Sequence, residues 1–145
     1  MKEALKEARL AFRKGEVPVG AVVVYENRVI GKGYNQVEML QDPTAHAEMI
    51  AITAAANALE NKWLIDATLY VTVEPCSMCA GAMVLARLKQ VVYGIQDLKT
   101  GAHSSLFNLL HDPRLNHRME VLPGILKQEC QQLMISFFEE MRKRN

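Results

Sequence analysis

No stretch of this chain approaches the ~20 consecutive apolar residues that a bilayer-spanning helix needs. The opening Met1-Lys2-Glu3 leads into a mixed-charge helical pattern with no signal-peptide core behind it. A cytoplasmic protein with no membrane partner is expected. Charge of one sign is also lacking. Lys and Arg number 17 against 16 Asp and Glu, for a net charge of +1. A strongly basic nucleic-acid binder is thereby excluded, although a local basic patch is not. Disorder is excluded as well, because 50% of the residues are hydrophobic and only 23% are charged. Internal repeats, low-complexity tracts and Pro/Gly/Ser linkers are absent, so the 145 residues read as one domain, 1–145. Cysteine is scarce: Cys76, Cys79 and Cys130. An odd number with one close pair is not a disulfide framework. In a reducing compartment such a pair binds metal or carries out redox chemistry.

The apolar pattern along the chain alternates between helical and strand periods. Leu5, Ala8 and Phe12 recur at helical spacing within Glu3–Lys14, and Gly15 is a natural stop. Val19–Tyr25 and Arg28–Tyr34 read as a hairpin turning at Glu26-Asn27. Asn35–Pro43 reads as loop, with Thr44 capping an alanine-rich helix over Ala45–Leu59. Ala67–Val73 is a strand, Pro75 starts a helix over Cys76–Leu88, and Gln90–Ile95 is a further strand. Strand, helix and strand at this spacing make a βαβ crossover with parallel strands. Asp97–Arg118 is loop-rich, and Met119–Leu122 is an expected edge strand. From Pro123 to about Arg142 runs a long amphipathic helix, with Leu126, Cys130, Leu133, Phe137 and Phe138 expected inward. Two adjacent helical positions cannot both face one way, so at least one of Phe137 and Phe138 belongs to the core. The sum is an α/β fold, a three-layer α/β/α arrangement about a mixed central sheet.

Two short motifs carry chemistry: Pro43-Thr44-Ala45-His46-Ala47-Glu48 and Glu74-Pro75-Cys76-Ser77-Met78-Cys79. Cys76 and Cys79 sit three apart at a helix start, where the sulfurs share a face and the helix N-terminus favours thiolates. A lone CxxC is ambiguous between a redox pair and half a metal site, but no thioredoxin-like order of elements surrounds this one. His46 adds an imidazole, and one nitrogen with two thiolates suits zinc. A structural zinc site normally has four protein ligands, whereas three leave a position for water, the mark of a catalytic centre. Glu48 lies two residues after His46. On an ideal helix the two point about 200° apart, so they converge only at a helix end. A carboxylate there can move a proton between water and substrate.

The combination His46-Ala47-Glu48 with Pro75-Cys76-Ser77-Met78-Cys79 resembles the known signature of the zinc-dependent nucleoside and nucleobase deaminases. The resemblance implies a cytidine-deaminase-like fold, a Zn2+ cofactor held by His46, Cys76 and Cys79, and Glu48 as the catalytic proton shuttle. Further segments are similar to bacterial tRNA adenosine deaminases: Val17-Pro18-Val19-Gly20-Ala21, Gly33-Tyr34-Asn35, Asp66-Ala67-Thr68-Leu69-Tyr70-Val71, Cys79-Ala80-Gly81-Ala82-Met83, Asp97-Leu98-Lys99-Thr100-Gly101 and Asn116-His117-Arg118. That narrower resemblance implies hydrolysis of adenosine to inosine at the wobble position of a tRNA anticodon loop, and a homodimer. It also implies substrate contacts by Asn35, Val19, Ala47, Asp97, Asn116 and Phe138, with Arg142, Lys143 and Arg144 approaching the RNA. Such contacts suit single-stranded loop bases, which are read by stacking and by hydrogen bonds to their edges.

The bare residues leave alternatives beside these expectations. Asp97 and Asn116 also fit as turn caps, and Arg142–Arg144 as a solvated helix end favourable to the dipole. Glu74 fits either a local hydrogen bond or a supporting contact to the metal site. Cys130 lies on the inward stripe of its helix and reads as core. The apolar Met78–Leu85 stretch suits a dimer interface or the core equally. The core motif alone is shared with free guanine and cytidine deaminases. A non-catalytic zinc-stabilised RNA-binding subunit has no use for a retained Glu48.

Overall fold

The computed structural model describes all 145 residues, Met1–Asn145. Its first helix, α1 (Lys2–Arg13), buries Ala4, Leu5, Ala8 and Ala11 along one stripe. The hairpin follows as β1 (Gly20–Tyr25) and β2 (Arg28–Tyr34), paired antiparallel. Glu26 and Asn27 turn it with φ of 50° and 62°, the left-handed pair whose twist matches the flanking strands. A single helical turn, α2 (Val37–Leu40), precedes α3 (Ala47–Leu59). Then come β3 (Thr68–Val73), α4 (Ser77–Ala86), β4 (Gln90–Ile95), β5 (Glu120–Leu122) and α5 (Lys127–Arg144).

The five strands form one sheet in the order β2-β1-β3-β4-β5. The β1 pairings are antiparallel, while β3–β4 and β4–β5 are parallel, so the sheet is mixed as expected. Helices α1 and α5 share one face, where Phe12 meets Phe137 edge-on at 5.6 Å. Helices α3 and α4 cover the other. There Ala51, Ala55, Ala80 and Met83 pack with Leu69, Val71, Val91 and Tyr93 in the central core. The architecture is three layers, α/β/α, consistent with a cytidine-deaminase-like fold. No helix is long and apolar enough to cross a membrane.

Close approach of α3 to the edge strand depends on two glycines. A Cβ on Gly33 would overlap the Ala47 carbonyl oxygen, and one on Gly31 the carbonyl of Ala51. Alanines facing glycines bring the helix backbone almost onto the sheet. The start of α3 is thereby fixed relative to the ends of the strands.

Several boundaries differ from the expectations, each for a local reason. Thr44 does not cap α3. Its Oγ1 donates to Asp42 Oδ1 at 2.7 Å and its N–H to the same oxygen at 2.8 Å, an Asx turn that holds it outside the helix. His46 takes the capping position instead, in extended geometry. The expected Asn35–Pro43 loop contains the α2 turn. Helix α5 starts at Lys127 rather than Pro123, because Gly124 (φ +80°) and Leu126 (φ 51°) first turn the chain. Phe137 is buried, but Phe138 is 44% exposed and does not face inward.

Candidate active site

Two helix N-termini meet beyond the carboxyl end of β3. His46 is the N-cap of α3 (φ −78°, ψ 150°), and Cys76 is the N-cap of α4 (φ −75°, ψ 176°). Each cap carbonyl accepts the first bond of its helix, from Ile50 N–H at 3.2 Å and Ala80 N–H at 2.8 Å. Because His46 is extended rather than helical, the angular objection to a His-x-Glu pair disappears. Glu48, one residue inside the first turn of α3, turns to the same site and is 4% exposed.

His46 Nδ1 lies 3.6 Å from Cys76 Sγ and 3.4 Å from Cys79 Sγ. All three ligand atoms lie within 4.8 Å of one another. Around a tetrahedral ion, bonds of ~2.3 Å to sulfur and ~2.0–2.1 Å to nitrogen place N and S roughly 3.5 Å apart. The donors therefore fit zinc in type and in spacing. Cys79 is buried, whereas Cys76 and His46 are half-buried. Hydrogen bonding from Cys79, aided by His46 and opposed by burial, draws the Cys76 thiol down to about 4. Its partner Cys79 is pushed up by that same hydrogen bond and by burial. The hydrogen bond with Cys76 raises the imidazole of His46. Burial pushes the Glu48 carboxyl up to about 7, against the pull of its backbone hydrogen bond and of His46.

A cavity of about 290 Å³ opens over these groups, at the small end of the ~300–1,000 Å³ typical of ligand pockets. Val19, Asn35, Ala47 and Asp97 all line it, together with His46, Glu48 and Cys76. Asn35 is 8% exposed, and its Nδ2 donates to the Val17 carbonyl at 3.3 Å. Asp97 caps its own turn as well as lining the cavity. Its Oδ1 accepts the N–H groups of Lys99 (3.0 Å) and Thr100 (3.2 Å), and its Oδ2 accepts the Thr100 hydroxyl (2.8 Å). Asn116 and Phe138 are not brought to this cavity. Asn116 is exposed in the loop before β5, and Phe138 is exposed on α5, across the sheet. Cys130 is buried under β4, where its Sγ occupies the space a Cβ on Gly94 would take.

Two buried acids of the cavity escaped the sequence reading in whole or part. Glu16 is 1% exposed, and its carboxylate accepts the N–H groups of Glu38 (2.9 Å) and Met39 (2.6 Å). It holds the α2 turn as one wall. Glu74 gives its carboxylate to the loop after β4 rather than to the metal ligands. Backbone donors carry no sequence signature, so Glu16 was missed, while of the two roles that Glu74 fitted the structure shows hydrogen bonding.

A profile for MafB19-like deaminases matches residues 1–142. The tRNA-specific adenosine deaminase of Bacillus subtilis (strain 168) is 50% identical over 144 residues, covering 99% of this chain and 89% of that protein. The chain belongs to the tRNA-specific adenosine deaminase family. A solved structure from biochemical and structural studies of A-to-I editing by tRNA:A34 deaminases at the wobble position of transfer RNA superposes with a TM-score of 0.88. It is 43% identical, with 92% of this chain and 96% of that chain covered. The guanine deaminase from Nitrosomonas europaea has a TM-score of 0.80 at 21% identity, covering 94% and 81% of the two chains. At that identity the likeness concerns the fold alone. Within this deaminase, His46, Cys76 and Cys79 form a cluster poised to bind a divalent metal ion.

Proposed function

We propose that this chain hydrolyses adenosine to inosine at the wobble position of a tRNA anticodon loop, with Glu48 as its proton shuttle. One observation carries the reading. A His/Cys/Cys cluster with zinc spacing lies under a small cavity beside a buried glutamate, in a chain 50% identical to a tRNA-specific adenosine deaminase. Zinc at such a site supplies a water of pKa about 7, nucleophilic at neutral pH.

The protein's own groups do the rest. Glu48, buried beside the cluster, accepts a proton from the attacking water and delivers it to the purine ring nitrogen. The water oxygen bonds to C6, Glu48 passes the remaining hydroxyl proton to the exocyclic amine, and the bond from C6 to that amine breaks, so ammonia leaves and a C6 carbonyl remains. Val19 and Ala47 give the base apolar walls, and Asn35 retains amide hydrogen-bonding capacity beyond its one bond to Val17. Asp97 and its turn border the nucleotide where it enters. A cavity this small takes an extruded base, and a base in a loop is cheaper to extrude than one in a duplex. The exposed Asn116, Phe138, Arg142, Lys143 and Arg144 are left for RNA outside the cavity.

We place the reaction in the cytoplasm, where the thiols of Cys76 and Cys79 stay reduced. A second copy of the chain is the proposed cover for the outer side of α4, where Leu85 is 78% exposed. The test of substrate class offers zinc-loaded protein a wobble-adenosine stem-loop, guanine, adenosine and cytidine in parallel. Ammonia from the stem-loop alone is expected. Release from a free base or nucleoside in preference to RNA overturns the reading.

A further inference from the structure

Strand β3 ends in Glu74, directly before the metal-binding Pro75-Cys76. The side chain is 3% exposed. A lone carboxylate at such depth is costly unless several donors compensate it. Here four backbone N–H groups do so: Asp97 at 3.2 Å on Oε1, and His103 at 2.9 Å, Ser104 at 3.0 Å and Ser105 at 3.3 Å on Oε2. The Ser105 hydroxyl donates as well. Gly101 lies against the carboxyl so closely that a Cβ there would overlap it. The same loop is stitched to the metal-binding segment, through the Ala102 N–H to the Pro75 carbonyl at 2.8 Å and a bridge between Cys76 and Gly101.

We propose that Glu74 is a positioning residue for the reaction, gathering the loop from Asp97 to Ser105 around its carboxylate so that Asp97 and Thr100 stand as the outer wall of the substrate cavity. It acts through that wall, with both carboxylate oxygens engaged by the loop. The inference rests on the functional reading above, because it takes the cavity as the seat of the base. A wall that contacts the nucleotide equally in ground and transition states governs KM and leaves kcat alone. The charge also matters. An amide at this position aims its own N–H groups at the converging donors, so Glu74→Gln cannot replace the carboxylate.

The experiment compares wild type, Glu74→Gln and Ser105→Ala, each loaded with zinc, on a stem-loop with wobble adenosine. For Glu74→Gln, KM is expected to rise about tenfold, the scale of a lost charged hydrogen-bond network, with kcat and zinc content unchanged. Ser105→Ala keeps the charge and removes one donor, so a smaller rise of about twofold to threefold in KM alone is expected. It also decides the matter should Glu74→Gln fail to fold. Hydrogen exchange in both variants is expected to quicken at residues 97–105 and stay unchanged in β3. Unchanged KM in a folded variant, or loss of zinc or kcat at constant KM, overturns the proposal. If wild type forms no inosine, the functional reading has failed instead, and hydrogen exchange still reports on the loop.

Discussion

His46 Nδ1 and Cys79 Sγ lie 3.4 Å apart although the two residues are 33 positions apart in the chain. Each owes its place to a helix start, and those starts are held together by the sheet beneath them. The metal site is therefore a product of the whole fold. Its chemistry divides into a grip, a proton carrier and a wall, and each can be disturbed separately.

The proposed proton carrier is Glu48. Glu48→Ala is expected to keep stoichiometric zinc while inosine formation falls by about 100- to 10,000-fold, the usual share of a general acid–base group. Metal analysis and stem-loop turnover on one preparation check this. Wild-type rate in the variant removes Glu48 from its role.

The grip predicts a link between metal and stability. Cys76→Ala is expected to lose zinc. Chelation of wild type should abolish turnover and lower the Tm, with both restored by added zinc. Binding only to the folded state stabilises by about 2.7 kcal/mol at a free ion level one hundred times Kd. Full zinc occupancy in Cys76→Ala would contradict the ligand set.

The sheet beneath the site predicts an effect at a distance. Gly33→Ala places a methyl group on the Ala47 carbonyl oxygen, so α3 must shift, carrying His46 and Glu48 with it. A loss of about 1–3 kcal/mol is expected from overpacking of this kind, together with weaker zinc binding. Denaturant titration and zinc affinity measure the two. An unchanged variant would mean that α3 is not seated on these glycines.

Cys130 predicts a pH dependence remote from the site. Burial pushes its thiol from 9.0 up to about 11, with a smaller contribution from Glu129. In the unfolded chain the thiol ionises first, so unfolding releases a proton above pH of about 9. Stability is retained below that point and declines as pH rises toward about 11. The gap between the denaturation midpoints of wild type and Cys130→Ala should narrow over that range, with the wild type falling faster. Parallel curves would show that the thiol does not titrate differently on unfolding.

The motifs were legible in the sequence because zinc chemistry demands particular residue types at close spacing. His46, Glu48, Cys76 and Cys79 could be read so, and alternating apolar segments disclosed the sheet and its crossover. Thr44 misled because an Asx turn with Asp42 competes with helix capping for the same hydroxyl. Phe138 misled because it is adjacent to Phe137, and one helical step turns it out to solvent. Glu16 was missed, and Glu74 left between two roles, for a different reason. Each holds mainly backbone N–H groups, which every non-proline residue carries, so those partners leave no trace in side-chain pattern.

The reaction itself is tested most directly on an anticodon stem-loop with adenosine at the wobble position, incubated with zinc-loaded protein in water enriched in a heavy oxygen isotope. Nucleoside analysis should find inosine at that position alone, carrying a single labelled oxygen at C6, with ammonia released in equal amount. Adenosine left intact by a fully zinc-loaded enzyme, or inosine without the label, would contradict hydrolysis at this site.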